Sequence, residues 1–562
     1  MTNTTNDNKN GHRSNLPEDP CPLEEKAMRY RPLIQKWLPL LLLLIFAVPS
    51  ILILFPMRAL PATASDDRFS GARAFKHLDI IAAKPHPEGS SAQAAVRDYL
   101  LQTLRGMGLE PEVQKVYGAE NVIVLLPGSS STGAALFLAH YDSSHDSPGA
   151  ADNGSGVSVL LEAARALSAG QQHTNDIILL FDDGEELPDA FTGSKAFVRE
   201  HPLMDRVKVA VSIDTATKGP VSICETGKEN GWIVRVLSSI YTNGAWTSFS
   251  GGGGYDSTPF RNAGVMVLAL EDNYPFKEKH TQWDTPSIVS PGSVQQLGDT
   301  VLALASRLGD IDLSDTWGEE RTFFPIPFAA LVHYPVSWTQ PLFILACIQL
   351  ILLLIFSFRN KVLTLGGFFL AFVVILVSAG ICGVMIALMK PLLPGIFGWN
   401  TRLWPDWPEV IPPNSWYALA GFALLVTCIT YLAYRLCRRR CSPAEFSIAG
   451  LLPFYLFSGA FSFLMPMTAY PFLWPALLGS SAWLFCALIQ GKRTCCSAVP
   501  ALIEALPLMV LLLPFIPGIV MSDGMKSLEI LGAVLALILF IVLPAVDSLI
   551  YRKKGSEAAK PV

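Results

Sequence analysis

His140 and Asp142 stand two residues apart where the apolar run AALFLAH, residues 134–140, leaves into a polar loop. A neutral imidazole can bind a cation through one ring nitrogen while a nearby carboxylate takes the other N–H and fixes tautomer and direction. Asp142 suits that orienting task. The tripeptide alone would equally describe a solvated loop. The next segment, Pro148 to Gly156 (PGAADNGSG), is a turn of small residues entering a helix near Ser155. Such a turn brings backbone close to an ion, and Asp152 can present both carboxylate oxygens there; an N-capping Asp or Asn is its ordinary structural reading. Phe181 to Glu186 (FDDGEE) sets Asp182, Asp183, Glu185 and Glu186 in close succession, which is costly without a cation. Adjacent glutamates can point apart, so Glu186 is read as a ligand and Glu185 as the general base. Asp214 closes the apolar run VKVAVSI, and His280 in KHTQWDT supplies a second imidazole. Two histidines and three carboxylates, one able to bridge, suit a pair of zinc ions with a hydroxide between them.

These residues need elements to hold them. Strand-like apolar runs lie at 120–126, 134–140, 176–182, 207–213 and 264–270, and helical spacing at 68–84, 91–107, 155–168, 192–200, 230–242 and 291–308. Gly89-Ser90-Ser91 can cap the second helix. Continuous apolar strands alternating with helices predict an α/β fold, a mostly parallel mixed sheet with helices on both faces. Sites in such sheets form outside the carboxyl ends of the strands. His140 and Asp142 end the second run, Asp182 to Glu186 the third and Asp214 the fourth, so all are expected in one crevice.

The chain around this domain is of another kind. Its 562 residues are 51% hydrophobic and 16% charged, and residues 335–550 are a succession of apolar runs. A first run, Leu38 to Met57, follows a polar leader and is read as an uncleaved signal anchor rather than a cleaved signal peptide. Seven more spans are expected at 336–358, 363–389, 416–437, 445–466, 471–490, 498–520 and 528–550. Eleven Lys and Arg (Arg359, Lys361, Arg435, Arg438, Arg439, Arg440, Lys492, Arg493, Arg552, Lys553, Lys554) fall on one side of this arrangement and three (Lys390, Arg402, Lys526) on the other. The positive-inside rule then puts both termini in the cytoplasm and the α/β domain outside it, in the periplasm of a bacterium or the lumen of a eukaryotic organelle. Trp399, Trp404, Trp407 and Trp416 suit an outer interfacial loop, and Glu504 and Asp547 are read as boundary residues of their spans. The expected organisation is a cytoplasmic leader (1–36), an anchor (37–58), an extracytoplasmic domain (65–312), a membrane domain (335–550) and a cytoplasmic tail (551–562). A net charge of −5 with no long basic stretch argues against nucleic acid. The oligomeric state is left open.

The ordered motifs AHYDS, PGAADNGSG, DDGEE, SIDT and KHTQWDT resemble those of the co-catalytic di-zinc aminopeptidase family, which includes glutamate carboxypeptidases, over about residues 70–310. The resemblance implies His280 and Glu186 on one zinc, His140 and Asp214 on the other, and Asp152 bridging them. Where the family often has a further Asp before the Asp-Asn pair, this chain has Ala151; the bridging position is retained. Segments 85–90 (PHPEGS) and 255–260 (YDSTPF) also look like family segments that shape the pocket. Anchor, outer domain and multispanning carboxyl-terminal region together resemble the family's endoplasmic-reticulum and vacuolar membrane branch, whose members usually have nine spans against eight here. The expected activity is zinc-dependent exopeptidase action on peptides, most simply from the amino terminus. Three other readings are open: a catalytically silent receptor or assembly subunit, a transporter with an accessory outer domain, and a glutaminyl cyclase-like transferase.

Overall fold

Seven strands form one sheet in the order β1-β2-β4-β3-β5-β7-β6: β1 Glu112–Val116, β2 Ala119–Leu126, β3 Ala134–His140, β4 Asp176–Asp182, β5 Val207–Ile213, β6 Val221–Glu225 and β7 Met266–Asp272. The computed structural model describes residues 41–550 except 57, 187–190, 241–253, 273, 275–277, 328, 400–411, 413 and 491–497. The expected leader and tail, Trp404, Trp407, Arg402, Lys492, Arg493 and the last three basic residues lie outside the described residues.

The central strands β4, β3, β5 and β7 are parallel, and β1, β2 and β6 are antiparallel to their neighbours. The sheet is therefore mixed, with the expected parallel centre. All seven residues of β3 and of β4 are buried, as strands covered on both faces must be. Alternate side chains serve two cores: Ala135, Phe137 and Ala139 face one, while Ala134, Leu136 and Leu138 face the other. The first core takes helices α2 (Gly71–Ile81), α4 (Ser155–Ala169) and α8 (Pro291–Asp310) through Leu78, Leu160 and Val301. The second takes α5 (Thr192–Glu200) and the short α7 (Thr258–Asn262) through Phe197 and Phe260. Each such Leu or Phe contributes about 1.5–3 kcal/mol. Helices α3 (Ser91–Gly106) and α6 (Gly231–Ser239) complete the domain, and Ser90 caps α3 by accepting from the Gln93 N–H.

The last predicted strand is displaced, from 264–270 to Met266–Asp272, because Gly264 at φ +85° belongs to the turn after α7. Edge strands β1 and β6 were not anticipated. Neither was the hairpin of β8 (Arg321–Ile326) and β9 (Ala330–Pro335), which follows the domain.

Beyond the hairpin run α9 (Thr339–Arg359), α10 (Leu365–Met389), α11 (Leu393–Phe397), α12 (Ser415–Cys437), α13 (Pro443–Leu464), α14 (Tyr470–Gln490), α15 (Ala498–Pro507), α16 (Phe515–Asp523) and α17 (Leu528–Ile550). They supply seven stretches long and apolar enough to cross a membrane, each at its predicted place. Residues 41–52 of the predicted anchor form a shorter apolar helix, α1 (Leu41–Leu52). Phe324 of the hairpin stacks on Tyr470, and Tyr334 meets Trp474 edge-on, so the hairpin lies against the bundle. Asp547 sits at the end of its span and receives Tyr434 and Arg438, as a boundary residue can. Glu504 is different. It lies inside the span Val499–Val520, is fully buried and accepts from the Trp483 indole at 2.7 Å, so its reading as a boundary residue is corrected.

Candidate active site

The strand order reverses at β3. Its successor β4 lies on one side and β5 on the other, so the loops leaving their carboxyl ends part and open a crevice. His140, the last residue of β3, pairs in register with Asp182, the last of β4. Asp214 follows directly on β5.

His140 is buried, and its two ring nitrogens face different partners. Nδ1 lies 3.2 Å from the Asp142 carbonyl and 3.5 Å from its Oδ1, while Nε2 points into the crevice, 3.4 Å from Asp152 Oδ1 and 4.0 Å from Glu185 Oε2. The Asp142 carboxylate also accepts from the N–H groups of Glu185 and Glu186, which ties the loop after β4 to the loop after β3. Burial pushes this carboxyl up, but His140 and the two N–H groups outweigh it and hold it below the usual range.

Asp152 does not cap α4. It sits at φ −117°, ψ 90° in a turn preceded by Gly149, whose φ of +66° favours glycine, and the Gly156 N–H in the first turn of α4 donates instead to Asn153 Oδ1. A side chain at Gly156 would collide with Asn153 and the Ile213 carbonyl, so glycine lets this turn reach the end of β5. Both Asp152 oxygens are thereby left to the crevice. Oδ1 faces His140; Oδ2 lies 3.2 Å from His280 Nε2 and 3.0 Å from Lys279 Nζ. His280 Nε2 is in turn 3.0 Å from Glu186 Oε2.

Two triads of donor atoms result, His140/Asp152/Asp214 and Asp152/Glu186/His280, each with its atoms within 4.8 Å of one another and with Asp152 common to both. All five predicted ligands are thus brought together. A third grouping joins His140 to Glu185 and Glu186. The carboxyls resist this crowding. Burial, with Asp152 and Asp214 adding to it against His140 and Lys279, pushes Glu185 up to about 7, and burial with the neighbouring Asp152 pushes Glu186 up to about 8. Glu186 Oε1 is buried without a hydrogen-bond partner. Imidazoles and carboxylates in triads, one carboxylate shared, with an unanswered buried oxygen, fit zinc-type cations. Glu185 stands beside this set rather than within either of the two triads that share Asp152.

Three further residues carried no predicted role. Asp284 accepts from the N–H groups of Ala151 and Asp152, and its own carbonyl accepts from Ala150, so it clasps the turn that presents Asp152. Lys279 places an ammonium against Asp152. Asp256 is buried near Asp182 and His140, and burial pushes its carboxyl well up. Only the place of these residues in the quoted KHTQWDT and YDSTPF segments hinted at them. His86 is likewise structural here: its N–H donates to Ser143 Oγ and its carbonyl accepts from the Ser143 N–H, bracing the loop after β3. Pro85, Asp146, His280 and Trp283 line an open cleft of about 680 Å³ beside the site.

Residues 121–305 match the model of Peptidase family M28. The chain is 28% identical over 234 residues to endoplasmic reticulum metallopeptidase 1 of Homo sapiens, covering 38% of this chain and 25% of that protein. It is 29% identical over 299 residues to the vacuolar membrane protease of Candida albicans, covering 48% of this chain and 35% of that one. The matched stretches therefore span between a quarter and about a third of these curated relatives. Among solved structures it is similar to BSAP, a zinc aminopeptidase from Bacillus subtilis, at TM-score 0.39 and 16% identity, covering 45% of this chain and 99% of that one. Residues 121–305, which carry all five predicted ligands of the crevice, match the model of peptidase family M28, in a chain whose described residues also include seven helices long and apolar enough to cross a membrane.

Proposed function

We propose that this chain is a membrane-bound, zinc-dependent exopeptidase, acting as an aminopeptidase on peptides outside the cytoplasm. The observation that carries the reading is the pair of donor triads sharing Asp152. His140 and Asp214 would hold one zinc, His280 and Glu186 the other, with Asp152 between them. When bound, the metal supplies Lewis acidity toward the peptide carbonyl and toward water. The remaining work falls to the chain. Glu185, beside the triads and pushed up to about 7 chiefly by burial, takes a proton from the attacking water and returns it to the leaving amine. Asp142 orients His140 and fixes the backbone of Glu185 and Glu186. Asp256 and Glu271, acidic groups near Asp214 outside the proposed ligand set, favour a substrate bearing a free ammonium. The distribution of Lys and Arg between connections supports cytoplasmic termini and an outer catalytic domain. The decisive variant is Glu185→Gln: it should lose hydrolysis by at least a thousandfold while retaining two zincs per chain by elemental analysis. Full activity in the variant, or a purified chain that takes up no zinc, would refute the reading.

A further inference from the structure

The anchor meets the peptidase domain on the same face that opens the crevice. Ile53 and Leu54, at the end of the predicted anchor run, are buried against Tyr274, which lies two residues after β7 and six before His280. The chain that follows is fastened there. The Leu60 and Gly71 N–H groups both donate to Gln295 Oε1 near the start of α8, and Arg73 Nη1 reaches the carbonyls of Ala62 and Ala64. Helix α8 follows the parallel strand β7, and the Ser290 N–H just before it donates to the Thr217 carbonyl in the loop after β5. Its beginning is thus at the carboxyl-end side of the sheet, where the site lies.

We infer that the crevice opens beside the outer membrane surface and that the preferred substrates are peptides whose far end stays in the bilayer, with only a short free end reaching the site. The inference rests on the peptidase reading above and adds the substrate class to it. Six residues span at most about 20 Å, which bounds the distance from Tyr274 to His280. The headgroup layer adds roughly 5–8 Å on each side of the hydrocarbon. A free end of about eight extended residues therefore suffices to reach from hydrocarbon to site. A site on the far side of a domain of this size, about 45 Å across, would need roughly sixteen. Trp283, 66% exposed on the cleft beside His280, offers the kind of amphipathic ring that favours the membrane–water interface.

The test uses the full chain in phosphatidylcholine nanodiscs, loaded with zinc, and a ladder of peptides carrying a carboxyl-terminal membrane-spanning anchor and free amino-terminal tails of 4 to 20 residues. The same tails without the anchor are run alongside. Trimming of anchored tails should continue down to about eight residues, and at low micromolar concentration should exceed that of the unanchored tails by on the order of tenfold or more. Cleavage of unanchored peptides with anchored tails under about sixteen residues left intact would overturn the inference and leave the peptidase reading standing. Hydrolysis of neither kind would overturn the peptidase reading, and this inference with it.

Discussion

Replacing Lys279 by Gln should tighten metal binding and loosen the metal-free protein at once. The Lys279 ammonium lies 3.0 Å from Asp152 Oδ2, the oxygen that also faces His280. A cation bound between His280, Glu186 and Asp152 must displace this internal one. At that separation the Coulomb attraction is about 1.4 kcal/mol in water and about 5.5 at an effective dielectric constant of 20. The lysine side chain is 43% exposed, so screening selects the lower part of that range, about 1.5–2 kcal/mol. Its loss in Lys279→Gln should raise metal affinity by about ten- to thirtyfold, because binding no longer has to break the pair. The same loss should lower the melting temperature of the metal-free protein by about 3 °C, since Asp152 then keeps only its histidine neighbours. Competition against a chromophoric chelator gives the first quantity and calorimetry of the chelated protein the second. Unchanged or weaker metal binding would refute the reasoning, because it would mean that the ammonium and the metal do not compete for Asp152.

Asp284→Ala removes the acceptor of two buried N–H groups, those of Ala151 and Asp152, and should cost about 2–3 kcal/mol of stability and weaken metal binding with it; Asp284→Asn, which keeps one acceptor, should lose less in the same melts. Asp272 accepts from the N–H groups of Thr217, Gly219 and Tyr274 and from the Thr217 hydroxyl, yet burial pushes it from 3.8 up to about 6. The folded state thus takes up this proton before the unfolded state does. The contribution is fully present below about pH 4 and is lost as pH rises through 6, an effect of about 3 kcal/mol. Relative to Asp272→Ala, whose penalty does not titrate, the wild type should lose that much of its advantage between pH 4 and 7 in thermal unfolding.

What could be read without coordinates follows from how each residue earns its place. Strands β3, β4 and β5 begin and end where their apolar runs do, because burial on both faces leaves no exposed position to blur the limits, Lys208 alone being half-buried. The edge strand EVQKV mixes exposed and half-buried positions, and β8 carries Pro325, so neither presents a clean run. His140, Glu186 and Asp214 were legible because they close a strand or lie just past one, and strand ends converge in a parallel sheet, whereas Asp152 and His280 were legible from the small-residue turn before α4 and the KHTQWDT segment. Lys279 and Asp284 were not, since both act on a turn more than 120 residues earlier that only tertiary structure brings near. Glu504 misled for the converse reason: its distance along the sequence from the end of an apolar run says nothing about the Trp483 indole waiting on another helix.

The crevice holds more negative charge than the fold answers. Asp182 is pushed up to about 6 and Asp183 to about 8, both chiefly by burial, although Ser194 donates to the first and Gln93 and the Glu120 N–H to the second. Glu185, Glu186 and Asp256 are pushed up beside them, again chiefly by burial. Against these, among the described residues, stand His140, His280 and the ammonium of Lys279, all gathered on Asp152. A domain stabilised only by its own contacts would gain by replacing several of these acids with apolar residues, because buried charges are costly unless paired. Their retention at the strand ends, with Asp142 and Asp284 spent on holding the loops in place, makes sense when a cation completes the site. The fold then contributes the geometry, and the metal contributes the missing positive charge.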